Sequence, residues 1–156
     1  MQKIMQTVLS FIIVLAFNHP IFAQLVYEWD AGVSVTLPDD FEIDKNVAGE
    51  FTATAEGMEF HMFVFDENVS LEDIKEATLE IAEELEVTEI DEIRNVETTS
   101  GFEGKYVEGT TEDQVIIIAG LIDPESTTNF FVMMAFYNDD DLAEEDAIKI
   151  LNSLTK

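Results

Sequence analysis

From Leu25 to Leu37 the apolar and aromatic residues occupy the odd positions: Leu25, Tyr27, Trp29, Ala31, Val33, Val35 and Leu37. A period of two over that length predicts a strand with one buried face, and Pro38 with Asp39 ends it with turn chemistry. Phe51–Ala55 and Met58–Phe65 then predict a hairpin around Glu56 and Gly57, because glycine supplies the positive φ of a tight turn. After Ser70 the period changes. Leu71, Ile74, Ala77, Thr78, Ile81 and Leu85 recur at helical spacing, while Glu72, Glu76, Glu80, Glu83 and Glu84 take the other side. Ser70 is the expected N-cap, with Asp73 reaching back three residues later. Only Lys75 offsets the glutamates, so this helix depends on packing rather than on its own pairs.

Four more strands follow: 90–99, Gly104–Thr110, Val115–Leu121 and Phe130–Tyr137, the last two joined through an Asp123–Pro124 turn. The first is the least regular, since Ile90, Ile93 and Val96 lie three apart. VIIIAGL and FFVMMAFY are apolar on both faces, which predicts cover on both sides. Leu142–Leu154 closes the chain as a second helix with Ala143, Ala147, Ile150, Leu151 and Leu154 as its buried stripe. The sum is an α+β fold: an antiparallel β-sheet of about six to seven strands flanked by helices. Two-sided burial of the last strands places the helices on opposite faces or, alternatively, one face against a partner. No repeat or linker interrupts residues 24–156, which read as one globular domain.

The first 23 residues change the picture of where this domain works. Lys3, an apolar run from Val8 to Phe17, a break at Asn18 and Pro20, and a small residue at Ala23 lay out a secretory signal peptide with cleavage between Ala23 and Gln24. The run is about half of the roughly 20 residues a spanning helix needs, so no membrane insertion is expected after cleavage. The protein is therefore expected to be exported, periplasmic or secreted. It has no cysteine, hence no disulfide, and must hold together by its core.

Charge narrows the partners. Past residue 23 the chain has six basic residues against 34 acidic ones, a formal charge of −28. Nucleic-acid recognition needs Lys and Arg on phosphates, so that class is excluded, and anionic membrane surfaces are disfavoured. A cationic protein, a cationic ligand or a divalent metal fits such a field.

Candidate chemistry is sparse. Past residue 23 the one histidine is His61, expected on a strand beside Glu59, Phe63 and Phe65, so a serine nucleophile would have a single imidazole to recruit. A copper set of His61, Met58, Met62, Met133 and Met134 suits soft-ligand chemistry, but alternation puts Met58 and Met62 on the face opposite His61. A glycosidase would need a sugar-sized, aromatic cleft beside its two carboxylates, and Trp29 is the single tryptophan. Asn68–Ser70 matches a glycosylation acceptor, with Ser70 better explained as a cap. No catalytic and no cofactor-binding residue is therefore assigned.

The stretch YNDDDLAEED, 137–146, is the one cation-like cluster, with Asp139, Asp140 and Asp141 as candidate calcium ligands. A 12-residue calcium loop starting at Asp139 would put Ala143, Glu144 and Ile150 where a ligand, a glycine and a glutamate belong, so the loop pattern fails. A helix start explains the acids better: Asp141 and Glu144 form a D-x-x-E cap, and Glu144 and Glu145 sit in a first turn that favours negative charge.

The order of elements carries a further signal. GVSVTLPDDF (32–41), the hairpin before an acidic helix, SGFEGKYVEG (100–109), the two apolar strands and the closing AIKILNSL (147–154) together resemble the PsbP-like superfamily. Its members include the photosystem protein PsbP, the periplasmic protein DcrB and a Ran-binding nuclear-import factor. The resemblance implies an α/β/α sandwich and a non-catalytic accessory or binding role, and carries over no site residue. The expected function is an exported non-catalytic binding or accessory domain engaging a protein partner. The alternative is a calcium-binding or calcium-stabilised domain, and behind both stands a hydrolase using carboxylates alone.

Overall fold

A computed structural model describes residues 23–29, 32–64, 69–98, 101–126, 128–137 and 141–156. The expected signal peptide before Ala23 lies outside them, as do Phe65 and Asn68.

The fold is α+β. Strands β3 (Glu42–Val47), β4 (Glu50–Ala55), β5 (Met58–Val64), β6 (Arg94–Glu97), β7 (Glu103–Thr110), β8 (Gln114–Ile122) and β9 (Asn129–Tyr137) form one antiparallel sheet in the order β3-β4-β5-β9-β8-β7-β6. Helix α1 (Leu71–Glu84) connects β5 to the far half, and helix α2 (Asp141–Asn152) follows β9. β1 (Gln24–Trp29) and β2 (Val33–Pro38) pair only with each other, as a separate two-stranded sheet.

The expected single strand over 25–37 is thus a hairpin. The reason it reads as one strand is arithmetic: three residues separate Trp29 from Val33, which face each other across the ladder. An odd loop preserves the odd-position pattern, and Gly32, at φ +74°, was the turn signal inside it. The hairpin's outer rungs tie it to the following turn, where the Asp39 N–H donates to the Ala23 carbonyl at 2.9 Å.

Alternation sorts the sheet into two cores. On one face Phe51, Phe60, Met62, Ile117, Leu121, Phe130 and Met134 meet Val35 and Leu37 of β2 and the α2 stripe Ala143, Ala147, Ile150, Leu151 and Leu154. That stripe is the one the helical spacing predicts. Trp29 sits edge-on to Phe130 at 6.0 Å and its indole N–H donates to the Val47 carbonyl at 3.0 Å, which fixes the hairpin over the sheet. On the other face Ile74 and Ala82 of α1 pack with Val107, Ile116, Ile118 and Phe131. The helices lie on opposite faces, which accounts for the two-sided burial of β8 and β9.

Three local readings are corrected. Leu71 and Leu85, placed in the buried stripe of α1, are exposed, and Ala82 is buried in their stead. The strand expected over 90–99 shrinks to four residues, because Val96 enters one core and Ile93 the other, while Ile90 is exposed. β3 was not anticipated: it is an edge strand, and of its residues only Ile43 packs against the core, so it leaves almost no apolar pattern.

α1 starts as expected. Ser70 Oγ accepts from the Asp73 N–H at 3.2 Å while the Asp73 carboxylate accepts from the Ser70 N–H at 3.0 Å, a complete capping box. These bonds, the Ser70 hydroxyl foremost, lower the Asp73 pKa.

Candidate functional site

The residues singled out as chemistry-bearing do not converge. Asp139 and Asp140 lie outside the described residues, and Asp141 is the first residue of α2. Among the described residues no group of three or more His, Asp and Glu side chains is placed to hold a metal. The methionine–histidine set divides between faces: Met58, Met62 and Met134 are buried in the core under α2, whereas Met133 is directly opposite His61 on the other face. His61 Nε2 lies 3.7 Å from the Glu59 carboxylate, its same-face neighbour two residues back. The hydroxyls of Ser70, Ser126 and Ser153 are bonded to Asp73, to Asp123 and to the backbone around Thr36 and Ile150. None is paired with the imidazole, so the nucleophile–base geometry is not assembled there.

Two carboxylates are perturbed for structural reasons. Asp123 is buried at the β8–β9 turn. Burial alone would raise its pKa, yet Lys156 Nζ at 2.5 Å, the Ser126 hydroxyl at 2.6 Å and the Glu125 N–H at 2.9 Å prevail and hold it down to about 2. This cluster staples the last residue to the turn. Beside it Thr155 exchanges two backbone bonds with Ser34 of β2. Glu108 of β7 is the opposite case: its Oε2 is buried without a hydrogen-bond partner, and desolvation first, then Glu144 of α2, raises its pKa against the pull of Arg94.

The remaining feature is an open surface. α1 lies over β7 and β8, and among the described elements no helix covers the same face of β3, β4 and β5. Register places Thr52, His61 and Met133 in one row and Thr54, Glu59 and Ala135 in the next. Along this face of β9 Phe131 is fully buried and stacked on Phe63 at 5.6 Å, Met133 is partly exposed, Ala135 is buried again, and only Tyr137 at the strand's end, 56% exposed, is open.

At the Tyr137 end this surface runs into a depression of about 440 Å³. Its walls are Tyr137, Leu85 and Glu86 at the end of α1, and Thr111, Glu112, Asp113 and Gln114 of the β7–β8 turn. Thr88 bridges to Thr110 by two backbone bonds, at 2.7 and 2.8 Å, which brings the end of α1 to that turn. Glu86 sits there at φ +56°. The six basic residues offer this end no neutralising charge: Lys45, Lys75, Arg94, Lys149 and Lys156 pair with other acids, and Lys105 donates to Asn95. Sequence reading missed the site because its defining property is absent cover, which no local pattern encodes.

No family model and no curated protein matches the chain. Solved structures do. A point mutant of protein Mog1 is 10% identical with a TM-score of 0.56, covering 84% of this chain and 86% of that one. The Ran-binding protein Mog1p of Saccharomyces cerevisiae is 9% identical with a TM-score of 0.54, covering 85% and 95%. A crystal structure from Bacteroides thetaiotaomicron VPI-5482 is 14% identical with a TM-score of 0.50, covering 84% of this chain and 47% of that one. At such identities the likeness is one of fold, and the fold is that of Mog1.

Proposed function

We propose that this chain is an exported, non-catalytic binding domain of the PsbP-like superfamily whose partner is a cationic protein. The observation that carries the reading is electrostatic. Five of the six basic residues past residue 23 are tied to carboxylates and the sixth to an amide, so an acidic field meets any approaching molecule. A field of one sign steers an oppositely charged partner and repels nucleic acid and anionic lipid. Support comes from the fold, shared with the Ran-binding protein Mog1p of Saccharomyces cerevisiae, and from the hydroxyls of Ser70, Ser126 and Ser153, each bonded away from His61. Residues 1–23 act as the export signal, and 24–156 work as one domain without a cofactor.

The test is reconstitution. The mature protein is used to capture partners from its host's exported fraction at low salt, and the captured protein is purified and titrated back. The expected partner is basic, and its affinity falls steeply as salt screens the field. A partner bound equally well at high salt would remove the cationic part of the reading. Turnover of a substrate abolished by replacing a carboxylate would remove the non-catalytic part.

A further inference from the structure

We infer that the depression at the exposed Tyr137 end of β9 is the docking surface for a lysine- or arginine-bearing segment of that partner. The inference rests on the reading above and locates it. Tyr137 is the exposed end of a β9 face whose inner residues are buried Ala135 and partly exposed Met133, the latter opposite His61 of β5. That end offers apolar and aromatic contact area without a described element to occupy it.

Charge complementarity selects the occupant. Leu85 is 41% exposed and Tyr137 56%, so apolar area lies open at the depression. Glu86, Glu112 and Asp113 border it, and none of the three forms an ion pair among the described residues. A lysine or arginine matches both features: its methylene stem lies on Leu85, its charged head faces the carboxylates, and the Tyr137 ring offers a cation–π face. A second copy is the wrong occupant, because it would bring a formal −28 against the same acids. An anionic lipid surface is the wrong occupant for the same reason.

An oligolysine peptide is the probe, with oligoglutamate as its control, titrated into the mature protein at low ionic strength and followed by NMR. Saturable shifts are expected at Tyr137, Glu112, Asp113 and the Met133 methyl. Tyr137→Ala, and separately Glu112→Gln with Asp113→Asn, are each expected to weaken binding about tenfold. Removing two charges from the outer face of α1, Glu76→Gln with Glu80→Gln, changes affinity by no more than about twofold. All these positions except partly exposed Met133 are exposed, and far-UV circular dichroism checks that each variant is folded. Shifts spread over the whole acidic surface, with equal losses from both charge pairs, would overturn the docking face while leaving the cationic-partner reading intact. Absence of oligolysine binding at low salt would overturn both. Sedimentation showing self-association that Tyr137→Ala abolishes would overturn the occupant.

Discussion

At Gly120 of β8 a single hydrogen in place of a methyl group sets how closely α1 approaches the sheet. A Cβ there would stand 2.6 Å from Ile74 Cγ2 and 2.9 Å from both Phe131 Cε1 and Thr78 Oγ1, all of them in buried side chains. Gly120→Ala should therefore lower stability by about 1–3 kcal/mol through overpacking, read as a shift in a urea melt. Glu108 makes a prediction of opposite sign. Its pKa is raised in the folded state, so folding favours the protonated form. The ionised carboxylate lacks a partner for Oε2, faces Glu144 and Asp91, and is only partly offset by Arg94. It costs stability once pH rises through the folded pKa, and costs none below the unfolded value. Glu108→Gln is thus expected to raise the melting midpoint at neutral pH, and the gain should vanish when melts are repeated as pH falls toward 4.5, the ordinary value for a glutamate. An unchanged difference across that range would show that charge is not the cause.

Elements divide into those whose burial leaves a trace in the chain and those whose position is set by something distant. Both helices, the β4–β5 hairpin and β7 to β9 were legible because each buries a full face, and periodicity reports burial. α1 carries its own start signal as well: Ser70→Ala removes the hydroxyl side of the capping box and should cost about 1 kcal/mol, measured by chemical denaturation. β3 left no trace because an edge strand packing only Ile43 has nothing to alternate. The hairpin of β1 and β2 was concealed by the parity of its loop. The open face was the least legible of all. Tyr137 closes the run FFVMMAFY with the same aromatic character as Phe131 on its own face, yet one is exposed and the other fully buried. The difference lies in position along the strand: Phe131 enters the core with Ile74 of α1, whereas Tyr137 ends β9 opposite Gln114, the first residue of β8.

For the molecule as a whole, 34 acids against seven bases mean that folding concentrates like charge. Self-repulsion of this kind destabilises the compact state and is relieved by screening. Sodium chloride is therefore expected to raise the melting midpoint. Calcium and magnesium at equal concentration should raise it by equal amounts, because the acids of 137–146 are better explained as a helix start than as a calcium loop. A midpoint higher in calcium than in magnesium would instead reveal a site that binds the folded state.

The bond between the Asp39 N–H and the Ala23 carbonyl, with Gln24 opposite Pro38, carries a consequence for timing. If the leader is severed after Ala23, the scissile peptide is itself the outermost rung of the first hairpin. A protease needs that peptide extended and free, whereas a closed hairpin holds it in a ladder. Maturation and folding then compete for the same few atoms, and a chain that folds first shields its own processing point. Cleavage in turn deletes the Asp39–Ala23 rung and leaves Gln24, with a new positive amine, as the frayed tip of an otherwise acidic molecule.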